Sequence, residues 1–154
     1  MTMKDDHTYM QAAMEEAKLA ERRDEVPIGA VLVDCNNGDI VAKSSNRTIE
    51  FADPTAHAEI LAIRHRCKQI GKQRIPQHDL YVTLEPCTMC AAAISFARIR
   101  RLVIGASDTK GGGVIHGAKF FDQPTCHHKI QITKDIMADE CSQILKKYFQ
   151  KKRN

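Results

Sequence analysis

Met10, Ala13, Met14 and Ala17 recur at steps of three and four, which predicts an amphipathic helix from His7 to Arg23. The pattern then changes. PIGAVLVD at 27–34 and DIVAKS at 39–44 read as strands flanking Asn36-Asn37-Gly38, a hairpin-turn signal. Asp53-Pro54 reads as a helix start, with Asp as N-cap and Pro at the first helical position. That helix runs through AHAEILAIRHRCKQI and stops at Gly71. DLYVTLE at 79–85 is an apolar strand, Pro86 opens a second helix over CTMCAAAISFA, and RLVIGA at 101–106 is a further strand. Residues 107–128 show no period and contain three consecutive glycines. KIQIT at 129–133 alternates as a short strand. The final helix, IMADECSQILKKYF, puts Ile136, Cys141, Ile144, Leu145 and Tyr148 on one broad face. A helix, a hairpin and then alternating helices and strands predict an α/β fold, a mixed sheet sandwiched between helices. The later strands should be mainly parallel, joined by right-handed crossovers. No repeat or linker interrupts the order, so residues 1–154 read as one domain.

Composition narrows the class. With 154 residues and 43% hydrophobic residues, the chain can bury a real core, and mixed charge argues against disorder. No apolar run is long enough to span a membrane. The polar start MTMKDDHTYM lacks the apolar core of a secretory signal. Six cysteines in such a chain point to a reducing, cytoplasmic setting, where they bind metal, catalyse or pack. The net charge of +4 is uneven: residues 1–25 hold four basic and seven acidic side chains. The end of the chain, from Lys146 to Arg153, is basic, which suits either nucleic acid or a solvated helix terminus.

The chemistry concentrates at two helix starts. His57-Ala58-Glu59 falls on the first turn of one predicted helix, and Cys87-Thr88-Met89-Cys90 on the first turn of the next. Three residues apart, the two sulfurs share one side of a helix, and a helix N-terminus favours the thiolate that binds zinc. One His and two Cys make three protein ligands. A structural zinc site normally has four, whereas a catalytic site leaves one position for water and lowers its pKa toward about 7. Glu59 is the candidate proton carrier. Residues two apart point to different sides of a helix, so His57 and Glu59 can serve one site only off the helix end. CxxC alone also occurs in redox proteins and structural zinc sites, and HxE alone says almost nothing. Together, the H-x-E and P-C-x-x-C motifs match the signature of zinc deaminases that act on nucleobases.

The segments PIGAVLV, NRT, DPTAHAEILAIR, DLYVTLEPCTMCAAAISFARIRRLVIGASDTKGGG and ADECSQILKKYF resemble the bacterial tRNA-specific adenosine deaminases. The likeness runs roughly from Tyr9 to Lys152. It implies hydrolytic deamination of the wobble adenosine of a tRNA anticodon to inosine, the usual substrate being an arginine tRNA. It also implies the cytidine-deaminase-like three-layer α/β/α sandwich, with a five-stranded mixed sheet and its last two strands parallel. The implied assembly is a homodimer, with one Zn2+ per chain. Residue by residue, His57, Cys87 and Cys90 match the zinc ligands and Glu59 the proton shuttle. Asn46 matches the residue that hydrogen-bonds the target base, and Ala58 a backbone N–H donor to its ring. The loop carrying Asp108 matches one beside the target ribose, where an ionised Asp can accept from a 2′-OH. The same Asp could instead cap the turn into Lys110-Gly111.

Other readings stay open. Cys126-His127-His128 reads as a polar loop rather than a second metal site, and Lys110-Gly111-Gly112-Gly113 as a flexible substrate loop. Cys35, Cys67 and Cys141 read as packing residues, and Phe149 either stacks on bases or packs. The nearest rival activity is the same chemistry on a free base or nucleotide of the guanine or cytosine type. A rival from another class is an RNA-binding subunit with a structural zinc, against which intact Glu59 argues.

Overall fold

The computed structural model describes residues 3–154. Helix α1 (Asp6–Arg22) starts where Asp5 accepts a hydrogen bond from the Thr8 amide at 2.8 Å. It buries Met10, Ala13, Met14 and Ala17, as their spacing requires. Strands β1 (Gly29–Asp34) and β2 (Asp39–Ser45) form the antiparallel hairpin, turning through Gly38 in the left-handed region. Helix α2 (Ala58–Ile70) ends at Gly71, which is also left-handed. Then come β3 (His78–Leu84), α3 (Thr88–Ala97), β4 (Arg101–Ala106), the short β5 (Gln131–Thr133) and α4 (Ala138–Arg153).

The sheet order is β2-β1-β3-β4-β5. β1 pairs antiparallel with β2 and β3, while β3–β4 and β4–β5 are parallel. The pleat sends alternate residues to opposite faces. Leu32, Leu80, Val82, Leu102 and Ile104 join Ala58, Ala62, Ala91 and Ile94 of α2 and α3 in one core. Val31, Val33, Tyr81 and Val103 join Tyr9, Met10, Met14 and Cys141 of α1 and α4 in the other. The result is the expected three-layer sandwich with a five-stranded mixed sheet.

Two helix starts differ from expectation. Asp53 does not cap a helix, and Pro54 does not open one. Asp53 instead accepts from the Thr55 amide and hydroxyl, closing a local turn, and α2 begins only after His57. Likewise α3 begins after Cys87 rather than at Pro86. Each proline sits in extended or turn backbone, and the helix starts later. The final helix also starts later than its apolar pattern suggested: Ile136 precedes it, and Met137 is its left-handed N-cap. Cys67 packs against one core and Cys141 lies in the other, while Cys35 is a buried free thiol outside both clusters.

Candidate active site

The delayed helix starts build the site. His57 is the N-cap residue of α2 and Cys87 that of α3, both extended and neither using its side chain to cap its own helix. Both side chains are therefore free to point beyond the helix ends. Glu59 lies one residue inside α2 and can face the same space, which meets the geometric condition for pairing it with His57.

His57 Nδ1 is 3.7 Å from Cys87 Sγ and 3.4 Å from Cys90 Sγ, and the three ligand atoms all lie within 4.8 Å of one another. A tetrahedral zinc with ordinary Zn–N and Zn–S bonds would hold nitrogen and sulfur about 3.5 Å apart. The donor set and spacing therefore fit that ion. Among the described residues this is the one group of three or more His, Cys, Asp or Glu side chains so arranged. The hydrogen bond from Cys90, followed by that from His57, pushes the Cys87 thiol down to about 4. Cys90 moves the other way, through its bond to Cys87 and its burial. The bond to Cys87 raises the His57 imidazole above its ordinary value.

Glu59 is buried, and that burial pushes its carboxyl up to about 7. His57, Glu59, Cys87 and Asp108 line one cavity of about 180 Å³, together with Ile28, Leu84, Glu85 and Gly111. This is smaller than the roughly 300–1,000 Å³ of sites that swallow a drug-sized ligand. It suits a single planar ring whose remainder stays outside.

Asn46 and Ala58 meet directly: the Ala58 amide donates to Asn46 Oδ1 at 2.9 Å. Asn46 is fixed further by its amide on the Ile28 carbonyl and by Arg23 on its own carbonyl. The Ala58 N–H is thus engaged within the protein, which leaves Asn46 Nδ2 as the donor of the pair.

Asp108 Oδ1 accepts from the Lys110 amide at 3.1 Å and the Gly111 amide at 2.9 Å, so it does close the turn. It also lines the cavity, and the two roles coexist because only Oδ1 is used.

Sequence reasoning missed Glu85. Its buried carboxylate accepts from the amides of Asp108, Val114, Ile115 and His116 at 2.9–3.2 Å and bonds His116 Nδ1 at 2.9 Å. Burial alone would raise its pKa, but the bonds from Asp108, His116 and Ile115 more than offset this and hold it below the ordinary value. Two of the three glycines are required by close packing. A Cβ on Gly112 would come within 2.2 Å of Glu85 Oε2, and one on Gly113 within 2.5 Å of the Thr88 amide. The available signal was a charged residue closing an otherwise apolar strand.

Among the described residues, Cys126-His127-His128 is not part of any group that could hold a metal ion. Cys126 Sγ meets Ser95 Oγ at 3.4 Å and His128 Nε2 meets the Ile99 carbonyl at 2.5 Å, tying the loop to α3 and its exit. Phe120 and Phe121 pack against the α2–α3 core, whereas Phe149 is exposed. At the basic end of the chain Lys152 pairs with Asp24.

Comparison with known proteins agrees with this geometry. The profile of the cytidine and deoxycytidylate deaminase zinc-binding region matches residues 3–106. A tRNA-specific adenosine deaminase of Agrobacterium fabrum is 57% identical over 145 residues, 94% of each chain. One from Haemophilus influenzae is 48% identical over 148 residues, 96% of this chain and 85% of its own. A solved structure from work on A-to-I editing by tRNA:A34 deaminases at the wobble position of transfer RNA superposes with a TM-score of 0.87 at 57% identity. It covers 90% of this chain and 99% of its own. A guanine deaminase from Nitrosomonas europaea has a TM-score of 0.83, covering 96% of this chain and 86% of its own, but at 20% identity it shares the fold alone. The chain belongs to the cytidine and deoxycytidylate deaminase zinc-binding family and, within it, to the tRNA-specific adenosine deaminases.

Proposed function

We propose that this protein hydrolyses the wobble adenosine of a tRNA anticodon, an arginine tRNA, to inosine and ammonia. The observation that carries the reading is one cavity. It is lined by His57, Cys87 and a buried Glu59, with Cys90 behind them at zinc-binding separation from His57, and has room for a single base.

His57, Cys87 and Cys90 would hold one zinc per chain. That ion supplies a Lewis acid that makes a water acidic enough to attack C6 of adenine at neutral pH. The chain's own work is proton transfer and positioning. Glu59, buried and with its pKa raised toward neutrality, takes a proton from the attacking water. It delivers that proton to the ring nitrogen and then carries the second proton of the same water to the amine, which leaves as ammonia while the C6 carbonyl of inosine forms. Asn46, held through Oδ1 by the Ala58 amide, offers Nδ2 to an acceptor nitrogen of the base. A direct bond from Ala58 to the ring requires its N–H to leave Asn46, so Ala58 acts first as a positioning group. Asp108, its Oδ1 fixed by the turn, offers Oδ2 to the ribose 2′-OH.

Adenine C6 is shielded in stacked RNA, so the target nucleotide is turned out into the cavity. An anticodon loop makes that inexpensive because its bases are unpaired. A second copy of the chain completes the assembly through the apolar α3, on which Met89 and Phe96 are 37% and 69% exposed. The setting is cytoplasmic; among the described residues no helix is long and apolar enough to cross a membrane. Incubation with tRNA transcripts and sequencing for A-to-I change tests the reading. Inosine at the wobble position supports it, and conversion of free guanine or cytosine alone replaces it with the nearest rival.

A further inference from the structure

At the N-terminal ends of β3, β4 and β5, opposite the strand ends that carry the catalytic cavity, three chain segments enclose an open groove of about 680 Å³. Arg74 comes from the connection between α2 and β3, Arg98 and Arg100 from that between α3 and β4, and His128 and Lys129 from the approach to β5. The segments are tied together by backbone. The Ile75 amide bonds the Ala97 carbonyl at 2.7 Å, the Arg100 amide the His78 carbonyl at 2.9 Å, and the Gln131 amide the Arg100 carbonyl at 3.3 Å. His128 adds its bond to Ile99. The groove is thus built by the fold rather than by a chance meeting of long side chains.

Its charge is unbalanced. Arg100 is answered by the buried Asp79, which it grips with two hydrogen bonds of 2.9 and 2.7 Å. Arg74, Arg98 and Lys129 have no acid within ion-pair distance among the described residues, and no Asp or Glu lines the groove. Arg98 spends one nitrogen on the Ser95 carbonyl at 2.7 Å, so its guanidinium is held in place with donors to spare. A concave surface with an excess of fixed cations favours a polyanion, and a phosphodiester backbone supplies evenly spaced negative charge.

We propose that this groove binds the sugar–phosphate backbone of the substrate RNA outside the loop that carries the target adenosine. The inference rests on the proposed tRNA activity and adds a second contact to it. Helix α3 runs between the two places, from Cys87 at the cavity to Arg98 at the groove. Ten helical residues rise about 15 Å, a separation that a folded RNA bridges and a free base or nucleotide does not. The groove therefore supplies affinity for a polymer without reading its sequence.

The test uses zinc-loaded full-length protein. Arg74 and Lys129 are exposed, so Arg74→Gln/Lys129→Gln removes charge without opening the core. The dissociation constant for fluorescent tRNA is measured between 50 and 200 mM salt in a Glu59→Ala background, and turnover with Glu59 intact. The double variant should bind roughly tenfold more weakly, and its salt dependence should be shallower by about two in log–log slope. At saturating tRNA its kcat should match wild type. Lys129→Glu alone should weaken binding in the same direction, which guards against a folding defect in the double variant. Unchanged affinity and slope in both variants, with wild type still editing tRNA, would overturn the groove and leave the proposed activity standing. A wild-type protein that neither binds nor edits tRNA would overturn both.

Discussion

Glu59 and Glu85 line the same cavity and are about equally buried, 4% and 2% exposed, yet their carboxyl groups are driven in opposite directions. Glu59 sits beside a His and two thiols, and its burial goes largely uncompensated, so its pKa rises to about 7. Glu85 is met by four backbone amides and a His ring, and its pKa falls below the ordinary value. Burial raises a carboxyl only when donors are missing. The first carboxylate is left able to gain and lose a proton; the second is locked as an anion and holds a loop. Both are shielded from solvent, but Glu59 lies deeper in the protein, and that depth together with the number of N–H groups that reach each carboxyl sets their opposite roles.

The largest effect expected from this contrast falls on turnover. Glu59→Gln should retain fold and zinc but lower kcat on the order of 10² to 10⁴-fold or more, because one group serves several proton transfers. Metal analysis and a thermal melt beside the rate measurement check it, and substantial activity in a folded, zinc-loaded variant would end the assignment.

Glu85→Ala should act on stability first. It strands the amides of Asp108, Val114, Ile115 and His116, and each buried polar group left unpaired costs about 1–3 kcal/mol. Even a net loss of about 3 kcal/mol lowers the melting temperature by roughly 6–12 °C, which calorimetry reads directly. Glu85→Gln keeps an acceptor oxygen and should lose less.

Acid sharpens the same comparison. A depressed folded pKa means that Glu85 contributes stability above the unfolded value of about 4.3, lost as pH falls through the folded one. The stability gap between wild type and Glu85→Gln should be full at pH 7 and narrow below about pH 4. A gap independent of pH would mean that Glu85 is not held as an anion.

The smallest effect concerns Asp108. Asn keeps an acceptor for the Lys110 and Gly111 amides but removes the charge proposed to face the ribose. Asp108→Asn should lose activity on an RNA anticodon stem-loop and lose less, or gain, on its deoxy analogue. An unchanged ratio of A-to-I rates would leave Asp108 as a turn residue only.

The sandwich and the grouping of His57, Cys87 and Cys90 were legible because their signals are local. Met10, Ala13, Met14 and Ala17 mark a helix face by spacing alone, and His57, Cys87 and Cys90 carry a ligand set whose chemistry restricts the choices. The helix starts were placed too early because Asp53-Pro54 and Pro86 are strong local start signals, and no local rule says that a ligand will occupy the N-cap. Glu85 was missed for the opposite reason. Its partners lie 23 to 31 residues away in a stretch without periodicity, so only the folded chain brings them together. The same distance hides the reason for Gly112 and Gly113, which leave clearance for Glu85 and Thr88. The basic groove is equally non-local, gathering Arg74, Arg98 and Lys129 from three connections.

The His57–Cys87–Cys90 cluster and Glu59 are proposed to act together on adenosine within tRNA. The most direct measurement is sequencing of tRNA transcripts after incubation with zinc-loaded wild type and with Glu59→Gln. Wild type should leave inosine at the wobble position of an arginine tRNA, and the variant none. Transcripts left unchanged by wild type, under conditions where free guanine or cytosine is deaminated, would contradict it.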